Sequence, residues 1–386
     1  MTVLAKKSKE PPDSASLPAR PDVAMSQSTP LMERYAVPAL EGFAQALFVA
    51  AGMALEQARS VSRLLVHTDA MGRRTHGLAQ ATAYLAEIKK GTMTTTGSYQ
   101  TLKDNGTTSA LWDGHYLPGL WLVEQAILMS IPRARQYGLA AVAIRRNHHI
   151  GCLAALCQIA TEAGCIALIA NSDPAGARVA PFGGTEALMT PNPIAMGYPG
   201  SPNPVLVDIC ASITTTSMTR QKHARGELFD QPWLLDAQGA PTRDPAVLEH
   251  TTPRGSLQLM GGPDYGHKGF GLSLMVEALS QGLSGEGRKN GPTRWGGSTY
   301  VQVISPDAFA GAEVFAEQMD YLSDRCRSNK PVNPSNPVRM PGDQAARGVA
   351  DAQQDGISFE PDTWEALTKW AQKLGVDLPA ALACPA

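Results

Sequence analysis

Residues 139–170 read LAAVAIRRNHHIGCLAALCQIATEAGCIALIA. The apolar runs at its two ends, LAAVAIR and CIALIA, are short and bounded by Gly, Asn and charged residues, as buried strands are. Between them, Gly151 to Gly164 carries helical spacing, so the stretch predicts a βαβ unit. Further apolar runs follow: LMT at 188–190, IAMGY at 194–198 and VLVDIC at 205–210. They lie too close together for helical crossovers, which predicts antiparallel or mixed pairing. Ser109–Trp112 and Tyr300–Ile304 are two more predicted strands. The expected class is α/β with a mixed sheet.

Outward from this middle the texture is helical. AQALFVAAGM, LEQARSVSRLLVHTDAMG and LAQATAYLAEIKKG follow one another from Pro38, with Gly52, Gly72 and Gly91 as stop signals. Another helix is predicted at Leu120–Tyr137, and more near Asp307–Cys326, Asp343–Ala352 and Pro361–Leu374. This division predicts a helical domain built from both chain ends (31–120 with 330–386) beside an α/β domain (121–329). Residues 1–30, rich in Lys, Ser and Pro, read as a disordered tail.

The chain has 386 residues, 43% hydrophobic and 18% charged, with a net charge of −2. That balance is globular, and it offers nothing to attract nucleic acid or an anionic membrane. No apolar run approaches the roughly 20 residues of a membrane helix, and the N-terminus lacks a secretory core. A cytoplasmic protein is expected. The six cysteines have no CxxC or Cys–His spacing, so neither a disulfide framework nor a zinc site is expected.

Several segments carry chemistry-bearing side chains. Gly266-His267-Lys268-Gly269-Phe270-Gly271 precedes LSLMVEALSQGLSG, in which Leu272, Met275, Val276, Leu279 and Leu283 share a helical face. A glycine-rich turn at a helix N-terminus accepts an anion on its backbone N–H groups; a packed turn with a surface lysine accounts for the same residues. In Arg73-Arg74-Thr75-His76-Gly77, Thr75 is placed to cap a helix whose first turn would hold His76. The positive helix end would then lower the histidine pKa. Asp208 ends the VLVDIC strand, either as a strand-end cap or as the orienting partner of a histidine. Asn147-His148-His149 lies at a strand-to-helix junction. Thr190-Pro191-Asn192-Pro193 presents an amide on a rigid extended backbone. Arg339-Met340-Pro341-Gly342-Asp343 turns into a helix that Asp343 would cap. No GxGxxG follows a strand, so the usual dinucleotide fingerprint is missing.

Taken in order, these segments resemble the malate/L-lactate dehydrogenase family of NAD(P)-dependent oxidoreductases. The matches are Thr75-His76-Gly77, Asn147-His148, Ala180-Pro181-Phe182-Gly183-Gly184, Thr190-Pro191-Asn192-Pro193-Ile194-Ala195, Val207-Asp208, the Gly266–Gly271 segment and Arg339-Met340-Pro341-Gly342. They span about residues 40–350. The resemblance implies a non-Rossmann mixed-sheet cofactor domain, a helical domain beside it, and a homodimer. It implies hydride transfer between NAD or NADP and a small 2-hydroxy or 2-oxo acid, or a cyclic imino acid such as piperideine- or pyrroline-2-carboxylate. Oxidation of ureidoglycolate or sulfolactate belongs to the same range, and a non-catalytic ligand-binding relative is the alternative from another class.

By the same resemblance His76 is the acid/base, with Thr75 beside it and Asp208 polarising it. Cofactor contacts fall on Val205, Leu206, Val207, Asp208 and Ile209, on His267, Lys268 and Gly269, and on Gly342 and Asp343. Gln80, Asn192 and His148 are the substrate candidates. Two departures stand out. Many relatives carry an arginine four residues after the histidine, where this chain has Gln80; an amide loses the bidentate ionic grip on a carboxylate, so either another arginine, such as Arg73 or Arg74, substitutes or the substrate differs from simple 2-oxo acids. The usual aromatic-glycine pair after Asn-His is His149-Ile150 here.

Overall fold

The computed structural model describes residues 33–249 and 251–383; the tail expected at 1–30 and Cys384 lie outside them. The chain begins with α1 (Val37–Ala50), α2 (Leu55–Ala70) and α3 (Ala79–Lys90). Pro38 sits in the first turn of α1, where no N–H is needed, and left-handed Gly91 ends α3. Then come β1 (Gln100–Asp104), β2 (Ser109–Asp113), α4 (Gly119–Tyr137), β3 (Leu139–Asn147), α5 (Leu153–Glu162), β4 (Ile166–Ser172), β5 (Pro193–Tyr198) and β6 (Val205–Cys210). An excursion follows through α6 (Thr216–Ala224), β7 (Leu234–Leu235), β8 (Pro241–Thr242), α7 (Ala246–Glu249) and β9 (Ser256–Leu257). The chain closes with α8 (Gly262–Glu277), β10 (Gly297–Ile304), α9 (Ala312–Arg327), α10 (Asp343–Asp355) and α11 (Pro361–Leu374).

The main sheet has seven strands in the order β1-β2-β3-β10-β4-β5-β6. The pairs β4–β5 and β5–β6 are antiparallel, the second as its short connection requires, whereas β2 and β3 are parallel. The βαβ expectation needs a correction in detail. Strands β3 and β4 run parallel with α5 between them in sequence, but β10 lies between them in the sheet, antiparallel to both. Val301 faces Val142 on one side and Ile169 on the other. LMT forms no strand; Met189 makes only a bridge to Val179, because Pro191 has no N–H to extend the ladder.

Alternation along β4 sends Ala167 and Ile169 into the main hydrophobic core, while Ser172 turns to the other face and meets Glu277 of α8. Helices α4 and α5 therefore cover one face and α8 the other. Both chain ends join the same core: α10 packs on α2, and α11 on α1 and α3. One cluster runs from Leu47, Leu64 and Leu85 through Ile127 and Val301 to Leu367. β1 and β2 lie before residue 121 yet pair into the sheet.

The Gly266–Gly271 segment is not a turn before a helix. Helix α8 already starts at Gly262, after Gly261 at φ 101°. Its glycines serve close packing: a Cβ on Gly269 would stand 2.6 Å from the Met260 carbonyl oxygen and 2.8 Å from that of Ala211. The buried side of α8 is small, with Gly266, Gly269, Ser273 and Val276. Of the predicted apolar face only Val276 is buried, whereas Met275 and Leu283 are 59% and 55% exposed.

Candidate active site

The loop between α2 and α3 carries the first site residues. Gly72 turns it at φ 77°, and Arg73 accepts the His76 amide proton at 2.9 Å. Gly77 lies on the buried Asp69 carboxylate, where a Cβ would come within 2.1 Å of an oxygen. Asp69 in turn accepts the Leu78 amide proton at 2.7 Å. Helix α3 starts at Ala79, so His76 stands before the helix and not in its first turn. Thr75 does not cap it either: its Oγ1 lies 2.9 Å from Nδ1 of His76. The His76 pKa is lowered, but burial is the main cause; Arg73 adds to the fall and Asp208 opposes it. Gln80 spends its amide N–H on the Thr75 carbonyl at 2.8 Å, bracing the loop.

Asp208 projects from β6 onto the N-terminus of α5. Its Oδ2 accepts the Ala154 amide proton at 3.0 Å and the Cys152 thiol at 3.5 Å, which gives α5 the cap its own N-cap residue lacks. It acts on His76 through space, with no hydrogen bond between the two among the described residues.

His149 enters the site beside them. Its ring stacks on His76 with centroids 6.2 Å apart and planes 21° from parallel. Nδ1 of His149 meets the Tyr84 hydroxyl at 2.7 Å and the Gly151 amide at 3.3 Å. Burial, with His76 and His148 nearby, pushes its pKa down to about 3, so the ring is neutral at working pH. Trp295 lies 5.3 Å from it between ring centroids. Sequence reading missed Tyr84, Trp295 and the prominence of His149. Tyr84 stands eight residues after His76 on the adjoining helix, a signal only once α3 is laid against the β3–α5 junction.

Two substrate candidates are enclosed. His148 is fully buried against Trp295 (4.7 Å) and Tyr84 (5.9 Å), with neither ring nitrogen partnered and a pKa down to about 4 through burial. Asn192, also fully buried, accepts from Ser172 (2.9 Å) and Thr190 (2.8 Å) and donates to Ser273 (2.8 Å) and Glu277 (2.9 Å). Its amide locks β4 and β5 to α8. Arg288 closes this network on Glu277 at 2.9 Å.

The cofactor candidates fall into two groups. Gly342 and Asp343 join the β6 strand: Leu206 donates to the Pro341 carbonyl at 3.0 Å, and a Cβ on Gly342 would lie 2.5 Å from the Pro204 oxygen. Asp343 opens α10 without capping it; its carboxylate takes Arg327 at 2.9 Å and the Met340 amide. Beside them, Met196 and Ile209 leave an apolar strand face 39% and 43% exposed. In the other group Lys268 lies over the Tyr265 ring at 5.1 Å, and His267 meets Phe182 at 5.9 Å. The five described cysteines are free thiols, and no described helix is long and apolar enough to cross a membrane.

The family model described as malate/L-lactate dehydrogenase matches residues 35–368. Hydroxycarboxylate dehydrogenase B of Escherichia coli is 27% identical over 350 residues, covering 89% of this chain and 95% of that protein. L-lactate dehydrogenase of Cupriavidus necator is 29% identical over 335 residues, with 84% and 93% covered. The structure of Δ1-piperideine-2-carboxylate reductase from Pseudomonas syringae superposes with a TM-score of 0.76 at 25% identity, covering 88% of this chain and all of that one.

Proposed function

Because the chain belongs to the malate/L-lactate dehydrogenase family, we propose that it moves a hydride between nicotinamide and a small 2-hydroxy or 2-oxo acid, with His76 as the acid/base. The observation that carries this reading is His76 itself. Its Nδ1 is held by Thr75, its Nε2 has no partner among the described residues, and it stacks on a second, neutral histidine. What supports a dinucleotide at the candidate cofactor residues is Lys268, a cation for phosphate, and the open Met196–Ile209 face, which suits a flat ring. We assign it to Val205–Ile209, His267, Lys268 and Gly269 in the 121–329 part of the chain, and to Gly342 and Asp343 at the start of α10, with the helices of both chain ends beside it.

When bound, the reduced cofactor supplies the hydride that C2 of the substrate receives. The C=O electron pair moves onto oxygen, and His76 delivers a proton there from Nε2. Asp208 favours the imidazolium that precedes this transfer. Arg73, exposed and without an ion pair among the described residues, takes the substrate carboxylate in the role that Gln80 leaves open. Asn192 and His148, enclosed as they are, brace the pocket wall. The exposed apolar side of α8 is covered by a second copy of the chain, giving a homodimer, and we place the protein in the cytoplasm.

Absorbance assays with 2-oxo acids and cyclic imines, each with NADH and NADPH, test the reading. A 2-oxo acid is expected to be the better substrate. His76→Ala should lower turnover about 10²–10⁴-fold while calorimetry still detects the dinucleotide. Undiminished turnover in that variant removes His76 from the chemistry, and turnover confined to the imines moves the substrate class.

A further inference from the structure

We propose that Tyr84 is a positioning residue of this reaction: its hydroxyl fixes His149 so that the ring proton sits on Nε2, facing the substrate as a neutral donor. The inference rests on the reading above for the reaction, but its geometry stands apart from it. The Gly151 amide can only donate, and it approaches Nδ1 of His149 at 3.3 Å. Nδ1 is therefore the acceptor of the ring. The Tyr84 hydroxyl, at 2.7 Å from the same atom and without another partner among the described residues, donates to it as well. Two donors converging on one nitrogen exclude a proton there, and the neutral ring must carry its hydrogen on Nε2.

Tyr84 is well placed to impose this. It is 1% exposed, it is anchored in α3, and its ring packs edge-on against His148 and His149. The groups that face His149 are few. His76 stacks on one side, His148 adjoins it with Glu87 and Arg294 behind, and Trp295 adds a ring that does not titrate. Cys152, hydrogen-bonded to Asp208, follows three residues on, and Arg73 lies near His76. None of these offers Nδ1 a second hydroxyl. An N–H on Nε2, beside the stacked His76 ring, would stabilise the negative charge developing on the oxygen at C2, the atom to which His76 gives its proton.

The test is Tyr84→Phe, which keeps the buried ring. Nitrogen-15 NMR of the histidine-labelled full-length protein, with His149 assigned through His149→Gln, reads tautomer and titration without any cofactor. The wild type should show the Nε2-protonated neutral ring and titrate near 3, and Tyr84→Phe should titrate at higher pH. In turnover, kcat should fall about tenfold, roughly the worth of one hydrogen bond, with KM little changed and the acid limb of the pH profile moved upward. A wild-type ring protonated on Nδ1, or a titration unchanged in Tyr84→Phe, overturns the proposal. If the wild type turns over 2-oxo acids and Tyr84→Phe shares its rate and pH profile, Tyr84 alone is removed. If the wild type reduces no 2-oxo acid, the assigned reaction falls, and the role of Tyr84 in it falls too.

Discussion

Asp69 is buried beneath Gly77, and burial raises its pKa to about 7 despite the Leu78 amide and Arg74. The proton it holds near neutrality makes the His76 loop sensitive to pH. A carboxyl whose folded pKa lies above its ordinary 3.8 contributes stability that is full below that value and is lost as pH rises through about 7. Asp69→Asn removes this dependence. Between about pH 4 and 7 its stability relative to the wild type should rise by about 1.4 kcal/mol per pH unit, read from thermal melts across that range. At this scale His76, Lys268 and Asp208 were legible as titratable or charged groups at junctions, and their setting was not. Whether His76 begins a helix or precedes one depends on Asp69, nine residues before Leu78, and no local pattern shows that carboxyl turning back. His149 was hidden for a similar reason, since its partner Tyr84 lies on another element.

Helix α8 shows the limit of periodicity. An apolar stripe of Leu272, Met275, Leu279 and Leu283 reads as inward-facing, yet the side against the sheet is made of glycine, serine and Val276. Periodicity identifies a stripe but not the body that covers it. The long helices and strands β2 to β6 were legible, because short apolar runs and glycine stops mark them directly; β1 and the short elements from α6 to β9 were not, and the place of β10 was not either, since pairing across so long a separation leaves no local trace. The packing of α8 separates two of its glycines. Gly269→Ala pushes a methyl group into the backbone of Met260 and Ala211 and should cost about 1–3 kcal/mol. Gly271→Ala meets nothing within 4 Å and should stabilise by up to about 1 kcal/mol through helix propensity. Paired denaturant titrations would check the opposite signs.

Over the described residues, a continuous core joins the terminal helices to the sheet, while α8 and the segment that follows it leave Leu274, Met275 and Leu283 half-exposed on the far side. A patch of that kind marks an association surface. If a second copy covers it, as proposed, Met275→Glu should lower the sedimentation coefficient to that of a monomer and abolish the rise of Tm with protein concentration that a dimer shows; an unchanged sedimentation coefficient would remove this patch as the proposed interface. The position of β10 has a different consequence. During synthesis β3 and β4 leave the ribosome early, and each must wait with an open hydrogen-bonding edge until Gly297–Ile304 follows. A chain cut short before that strand would hold two sheet halves with no seam between them, and such edges recruit other chains. The newborn protein is thus most vulnerable to aggregation late in its translation, when His76, Tyr84, His149 and Asp208 have already been made.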